Sequence, residues 1–110
     1  MDIKQIQKEI HQNAVEHGWW EEERNFGELI ALVHSELSEA LEEVRAGKRY
    51  TETYYKEDRP DKPEGVPSEL ADVVIRVMDM CEHFGIDLEE IIQIKHEYNK
   101  KRPYKHGKQF

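Results

Sequence analysis

The sequence predicts an all-α protein, and three observations carry that expectation. Apolar residues recur at helical spacing in four segments, and the ends of those segments carry the residues that start and stop helices. Alternation of apolar and polar residues is nowhere sustained, and the β-branched residues fall in the 3.6-residue period instead. The expected architecture is a single domain spanning 1–110, a four-helix bundle completed by oligomerisation. Four helices and a long polar loop in 110 residues leave a thin core, so a homodimer or homotetramer is expected to finish it.

The first helix is expected from Asp2 to about His17, with Ile3, Ile6, Ile10 and Ala14 on one face, and Gly18 ends it. Trp19 and Trp20 follow in a connector with Glu21, Glu22, Glu23 and Arg24, so that 1–24 make an N-terminal helix and Trp connector. Asn25 is a suitable cap for a second helix reaching about Ala46, with Gly47 as its stop. Residues 47–67 read as a polar loop with Pro60, Pro63, Gly65 and Pro67, long enough in so small a domain to be mobile or functional. Closure of this loop over a substrate would bring in Lys56 and Arg59. Ser68 is read as the cap of a third helix running to about Phe84 before Gly85. Asp87 caps a fourth that ends near Arg102, because Pro103 disfavours a helical residue before it; 103–110 form a basic C-terminal tail.

The net charge of −8 argues against general affinity for nucleic-acid polymers or anionic membranes. Within that acidic chain, Lys95, Lys100, Lys101, Arg102, Lys105 and Lys108 stand against one acid, Glu97, which is a local basic end. Cys81 has no cysteine to pair with and lies on an apolar stripe, so it reads as a core residue in a reducing compartment. With no apolar run of membrane-spanning length and no apolar leader after Met1, the expectation is a soluble, cytoplasmic protein.

Chemistry enters through the acids. Glu36-x-x-Glu39 falls on the second helix and Glu69-x-x-Asp72 on the third. On a wheel that places Leu29 at zero, Glu36 lies at about −20°, within the stripe of Leu29, Val33 and Ala40, and Glu39 lies at its edge beside Leu32. On the third helix Leu70, Val74, Val77, Cys81 and Phe84 form the apolar stripe, with Glu69 and Asp72 together on one flank. Residues three apart sit on adjacent turns and can share a ligand. Like charges gathered inside a bundle are costly unless a cation joins them, and hard oxygen donors suit a divalent metal. As a string, E-x-x-E is expected by chance among 24 acids; Glu39 and Glu42 make another. The predicted burial of Glu36 is what raises the pair above chance.

The fourth helix puts Lys95, Asn99, Arg102 and Tyr98 on the face begun by Leu88 and Ile91. Cations near a helix C-terminus are also favoured by its dipole and by snorkelling, without any ligand. Beside a carboxylate cluster the combination reads as one site: acids hold a metal, the metal bridges phosphate oxygens, and Lys and Arg neutralise the remaining charge.

The ordered set Leu32-Val33-His34-Ser35-Glu36-Leu37-Ser38-Glu39-Ala40, Glu69-Leu70-Ala71-Asp72-Val73-Val74, Gly85-Ile86-Asp87 and Lys95-x3-Asn99-x2-Arg102 resembles the MazG-like, all-α nucleoside triphosphate pyrophosphohydrolases, across about Leu29 to Arg102. The family pattern is E-E-x-x-E followed by E-x-x-D, and Ser35 replaces its first glutamate here. The resemblance implies Mg2+ (with Mn2+ as a substitute) on Glu36, Glu39, Glu69 and Asp72, and phosphate or sugar contacts from Lys95, Asn99 and Arg102. It implies hydrolysis of a nucleoside triphosphate between the α and β phosphates, in nucleotide-pool cleaning or control, with Glu36 or Glu39 orienting the attacking water. Relatives stack the base on an aromatic residue ahead of the second helix, a position Trp20 matches, with Trp19 adjacent and either able to staple the core instead. Two other readings compete. A di-iron bundle needs Glu-x-x-His pairs, and none of the six histidines has a glutamate three residues before it. A non-catalytic helical oligomerisation module explains the apolar stripes but not Glu36.

Overall fold

The computed structural model describes residues 2–110; Met1, which the sequence reading included in the N-terminal segment, lies outside the described residues. Four helices account for most of the chain: α1 (Ile3–Glu16), α2 (Phe26–Arg45), α3 (Val66–His83) and α4 (Leu88–Lys100). Each expected helix is present. Side-chain caps start three of them, where orphan backbone N–H groups need acceptors. Asp2 accepts from Gln5 N at 2.7 Å, Asn25 from Glu28 N at 3.2 Å and Asp87 from Glu90 N at 3.0 Å. The third helix differs. It begins two residues before Ser68, with Gly65 as its cap residue, and Ser68 Oγ donates instead to Pro63 O at 2.9 Å.

The expectation of no strand is corrected by a two-stranded antiparallel ribbon within 47–67: β1 (Tyr54–Lys56) and β2 (Arg59–Glu64), paired Tyr54 to Glu64 and Lys56 to Arg59. Glu57 and Asp58 make the turn between them. β2 carries Pro60 and Pro63 and is exposed until Glu64, so its composition hides it from a strand reading. Far from being loose, the ribbon is tied down. Tyr54 Oη lies 3.0 and 2.9 Å from the two carboxylate oxygens of Glu43 on α2, and the Lys48 ammonium sits 4.2 Å from the centre of the Tyr54 ring. At the ribbon's end, buried Glu64 is held ionised by Lys62 Nζ at 3.0 Å. Gly65 then turns at φ 117°, where a Cβ would overlap the carbonyl oxygen of Glu52.

Helix α3 lies between α1 and α2 and packs on both, whereas α4 rests against α1 alone among the well-formed helix pairings. The four helices therefore do not close a bundle within one chain. Three form a layer, and the fourth extends from it, tied near its start by Lys4 Nζ to Asp87 at 3.2 Å and Lys4 N to Glu89 at 3.2 Å. Gln7, buried between α1 and α3, spans the join by donating to Glu82 at 3.1 Å and to Ile86 O at 3.0 Å. The radius of gyration is 16.6 Å, against about 13 Å for a compact domain near this length.

The core is as thin as expected: Leu29, Ala40, Val66, Met80 and Cys81 are its buried apolar side chains. Burial raises the Cys81 thiol above its ordinary value, which suits a packing role. The α3 stripe is only half used. Cys81 is buried, but Leu70, Val74 and Phe84 are left 47%, 50% and 43% exposed. Leu37 and Leu41 of α2 and Ile91, Ile94 and Tyr98 of α4 are likewise open. Among the described residues no helix is long and apolar enough to cross a membrane. The basic tail makes a short 3-10 turn, Tyr104–Gly107, and is exposed.

Candidate functional site

Packing of α2 on α3 brings three of the four acids together. Glu36 from α2 and Glu69 and Asp72 from α3 each present a carboxylate oxygen within 4.8 Å of the others. Desolvation raises the Glu69 carboxyl above its ordinary value, and the charges of Asp72, Glu36, Glu39 and Glu43 add to the rise. Asp72 is raised for the same reasons, first by desolvation and then by Glu36, with Arg76 and Lys62 pulling the other way. Burial and the acids' mutual repulsion thus outweigh the cations near the cluster. Glu39 is a partial correction to the expected quartet. It lies one turn along α2, exposed and outside the set of three, because a step of three residues turns it about 60° from Glu36 toward solvent.

One cation stands in the cluster, and the sequence reading did not single it out. Arg76 Nε donates to Glu36 Oε1 at 2.8 Å, in a pair with side-chain exposures of 34% and 15%. The signal was present, since Arg76 lies one turn on from Asp72 and so shares the flank that carries Glu69 and Asp72. Asp79, a further turn along that flank, was also missed. Its Oδ1 meets His11 Nδ1 at 2.7 Å and Trp20 Nε1 at 3.0 Å, pinning α1 and the connector to α3.

Beside the acids opens a cleft of about 520 Å³ between α1, α3 and the Trp connector. Glu36, Asp72 and Arg76 line one part of it, and Asn13, Trp19 and Arg24 another. The two tryptophans divide their tasks. Trp20 is half-buried, stacked on His83 with ring centres 3.8 Å apart at 12°, and its indole N–H is committed to Asp79. Trp19 is 61% exposed and lines the cleft, with the Arg24 guanidinium 5.8 Å from its ring centre. Trp20, the expected stacking residue, thus has its face on His83 and its N–H on Asp79, as a staple does, while Trp19 is the indole that faces the cleft.

Lys95, Asn99 and Arg102 are not brought to the acids within the chain. No residue of α4 lines the cleft, and α4 packs on α1 rather than alongside α2. Lys95 Nζ and the Arg102 guanidinium instead flank the ring of Tyr98, at 5.3 and 5.6 Å from its centre. A helical wheel tells which face a residue occupies, not which neighbour that face meets.

Compared with protein-family models, with curated proteins and with solved structures, the chain matches none of them.

Proposed function

We propose that this chain is a MazG-like nucleoside triphosphate pyrophosphohydrolase: with water, it converts a nucleoside triphosphate to the monophosphate and pyrophosphate. The observation that carries the reading is the meeting of Glu36, Glu69 and Asp72 within 4.8 Å at the edge of a cleft that also holds an exposed indole and two guanidinium groups. The donor set fits Mg2+, or Mn2+ in its place. It is all hard oxygen, and burial together with the neighbouring acids raises the Glu69 and Asp72 carboxyls, a cost that a bound cation would offset. When bound, such an ion polarises phosphate oxygens and lowers the pKa of water.

Glu36, Glu69 and Asp72 would hold the ion. Glu39, close enough to Glu69 to raise its carboxyl, is the acid left to orient the attacking water, with Glu36 the other candidate. Trp19 offers its exposed face to a planar base, and Arg24 beside it keeps anionic groups in the cleft.

Lys95, Asn99 and Arg102 can serve the same triphosphate only across an interface, and the surface favours one. Leu37 and Leu41 on α2 and Leu70 and Val74 on α3 each expose an apolar stripe, beyond what a lone small protein needs. A homodimer or homotetramer would cover these stripes and place one subunit's α4 against its neighbour's cleft. The same stripes support a second reading, a non-catalytic helical oligomerisation module.

Incubation with a panel of canonical, deoxy and modified triphosphates and Mg2+ separates the two. The enzyme releases pyrophosphate, and Glu36→Ala or Asp72→Ala abolishes the release. An inert protein, or alanine variants with normal turnover, would reject the site. Light scattering that finds only monomer at micromolar concentration would reject the shared-cleft arrangement.

A further inference from the structure

Arg76 is a cation held on the Glu36 and Asp72 side of the acids. Nε donates to Glu36 Oε1 at 2.8 Å, and the same guanidinium opposes the rise of the Asp72 carboxyl. It therefore sits where a divalent ion on Glu36 and Asp72 would also have to sit or press. Two cations crowded onto one carboxylate repel each other, so binding of one weakens the bond of the other. The displaced side chain remains in the cleft, because Arg76 is fixed on α3 and lines the cavity with Trp19 and Arg24. Its planar fork of donors matches two phosphate oxygens at once, a geometry that an ammonium lacks.

We infer that Arg76 is an exchangeable counter-ion: it neutralises Glu36 until a divalent cation takes that carboxylate, and then turns its guanidinium to the phosphates of the triphosphate. The inference rests on the divalent-cation reading of the acids given above and adds a residue and an order of events to it. It differs from a plain structural tie between α2 and α3 in what removal of Arg76 does to the metal. A tie, once cut, loosens the site and weakens metal binding. A competitor, once removed, strengthens it.

The test titrates Mn2+ alone into the full chain, as wild type, Arg76→Gln and Arg76→Lys, by calorimetry or by the electron-spin signal of free Mn2+, with circular dichroism as the check on folding. A second titration adds a non-hydrolysable triphosphate analogue at saturating Mn2+. Arg76→Gln is expected to bind Mn2+ roughly fivefold more tightly than wild type, the upper end of what a partly exposed ion pair supplies. It is also expected to bind the analogue on the order of tenfold more weakly. Arg76→Lys keeps the charge, so Mn2+ binding stays near wild type while analogue binding still falls.

Arg76→Gln that is folded and binds Mn2+ no better than wild type overturns the inference. So does Arg76→Lys with undiminished analogue binding, which keeps the test decisive where the glutamine variant does not fold. Wild type that binds no Mn2+ at millimolar concentration removes the cation reading itself. Wild type that binds, with no gain in Arg76→Gln, removes only the role given to Arg76.

Discussion

Replacing Asp79 by alanine tests whether the Trp connector is held by one carboxylate. Asp79 Oδ1 is shared by His11 Nδ1 at 2.7 Å and Trp20 Nε1 at 3.0 Å, and the side chain is only 15% exposed. An ionised carboxylate accepts and cannot donate, so both ring nitrogens are the donors. Hydrogen bonds to a charged acceptor contribute about 1.5–3 kcal/mol each. Both ends of this pair reach some water, so the lower figure applies, and Asp79→Ala should cost about 3 kcal/mol. For a chain near 100 residues that is a fall in Tm of roughly 12 °C or more. Asp79→Asn keeps an acceptor oxygen without the charge and should cost about half as much. Urea denaturation of the three proteins at one protomer concentration measures the loss, since the midpoint of an associating protein shifts with concentration. A double-mutant cycle with Trp20→Phe should show coupling of about 1 kcal/mol. A loss under about 1 kcal/mol for Asp79→Ala would refute the reasoning: water would then replace the carboxylate freely, and the stack of Trp20 on His83 would have to fix the connector unaided.

The remaining expectations concern the acids, the ribbon and the Gly65 turn. The Glu69 and Asp72 carboxyls are raised in the folded chain, so just above the ordinary carboxylate range the native state holds more protons than the unfolded one, and stability falls as pH rises. Glu69→Gln should therefore be more stable than its parent at neutral pH and less sensitive to pH in that window, as urea midpoints at several pH values will show. Hydrogen bonding to Glu43 pushes the Tyr54 phenol up to about 12, and a spectrophotometric titration should show one tyrosine ionising late, restored toward 10.0 in Glu43→Gln. Gly65→Ala forces a Cβ into the Glu52 carbonyl at positive φ and should cost at least about 2 kcal/mol, measured by the same denaturation assay.

Local structure was legible where local chemistry decides it. Asn25 and Asp87 cap the helices that their side chains suggested, and Glu36, Glu69 and Asp72 meet on the flanks where the wheel put them. Arg76 was legible in principle, by the one-turn step from Asp72. The ribbon was not, because its second strand is built of prolines and charges, and what holds it is Tyr54 on a distant glutamate. Nor was the placement of α4. Its cations share a face in the sequence, but the partner for that face is a matter of tertiary and quaternary packing. Ser68 misled because a serine before an apolar run resembles a cap, while the glycine that starts α3 makes no side-chain bond.

The prolines of the ribbon have an effect beyond its shape. A two-stranded sheet is all border, and each border is an open row of amide and carbonyl groups to which another chain can add. Pro60 and Pro63 leave β2 without two amide donors, and Arg59, Asp61 and Lys62 surround them with charge. β2 is thereby a poor template for strand addition. What a crowded solution of this protein meets along that strand is a broken row of donors, a poor seed for a fibril.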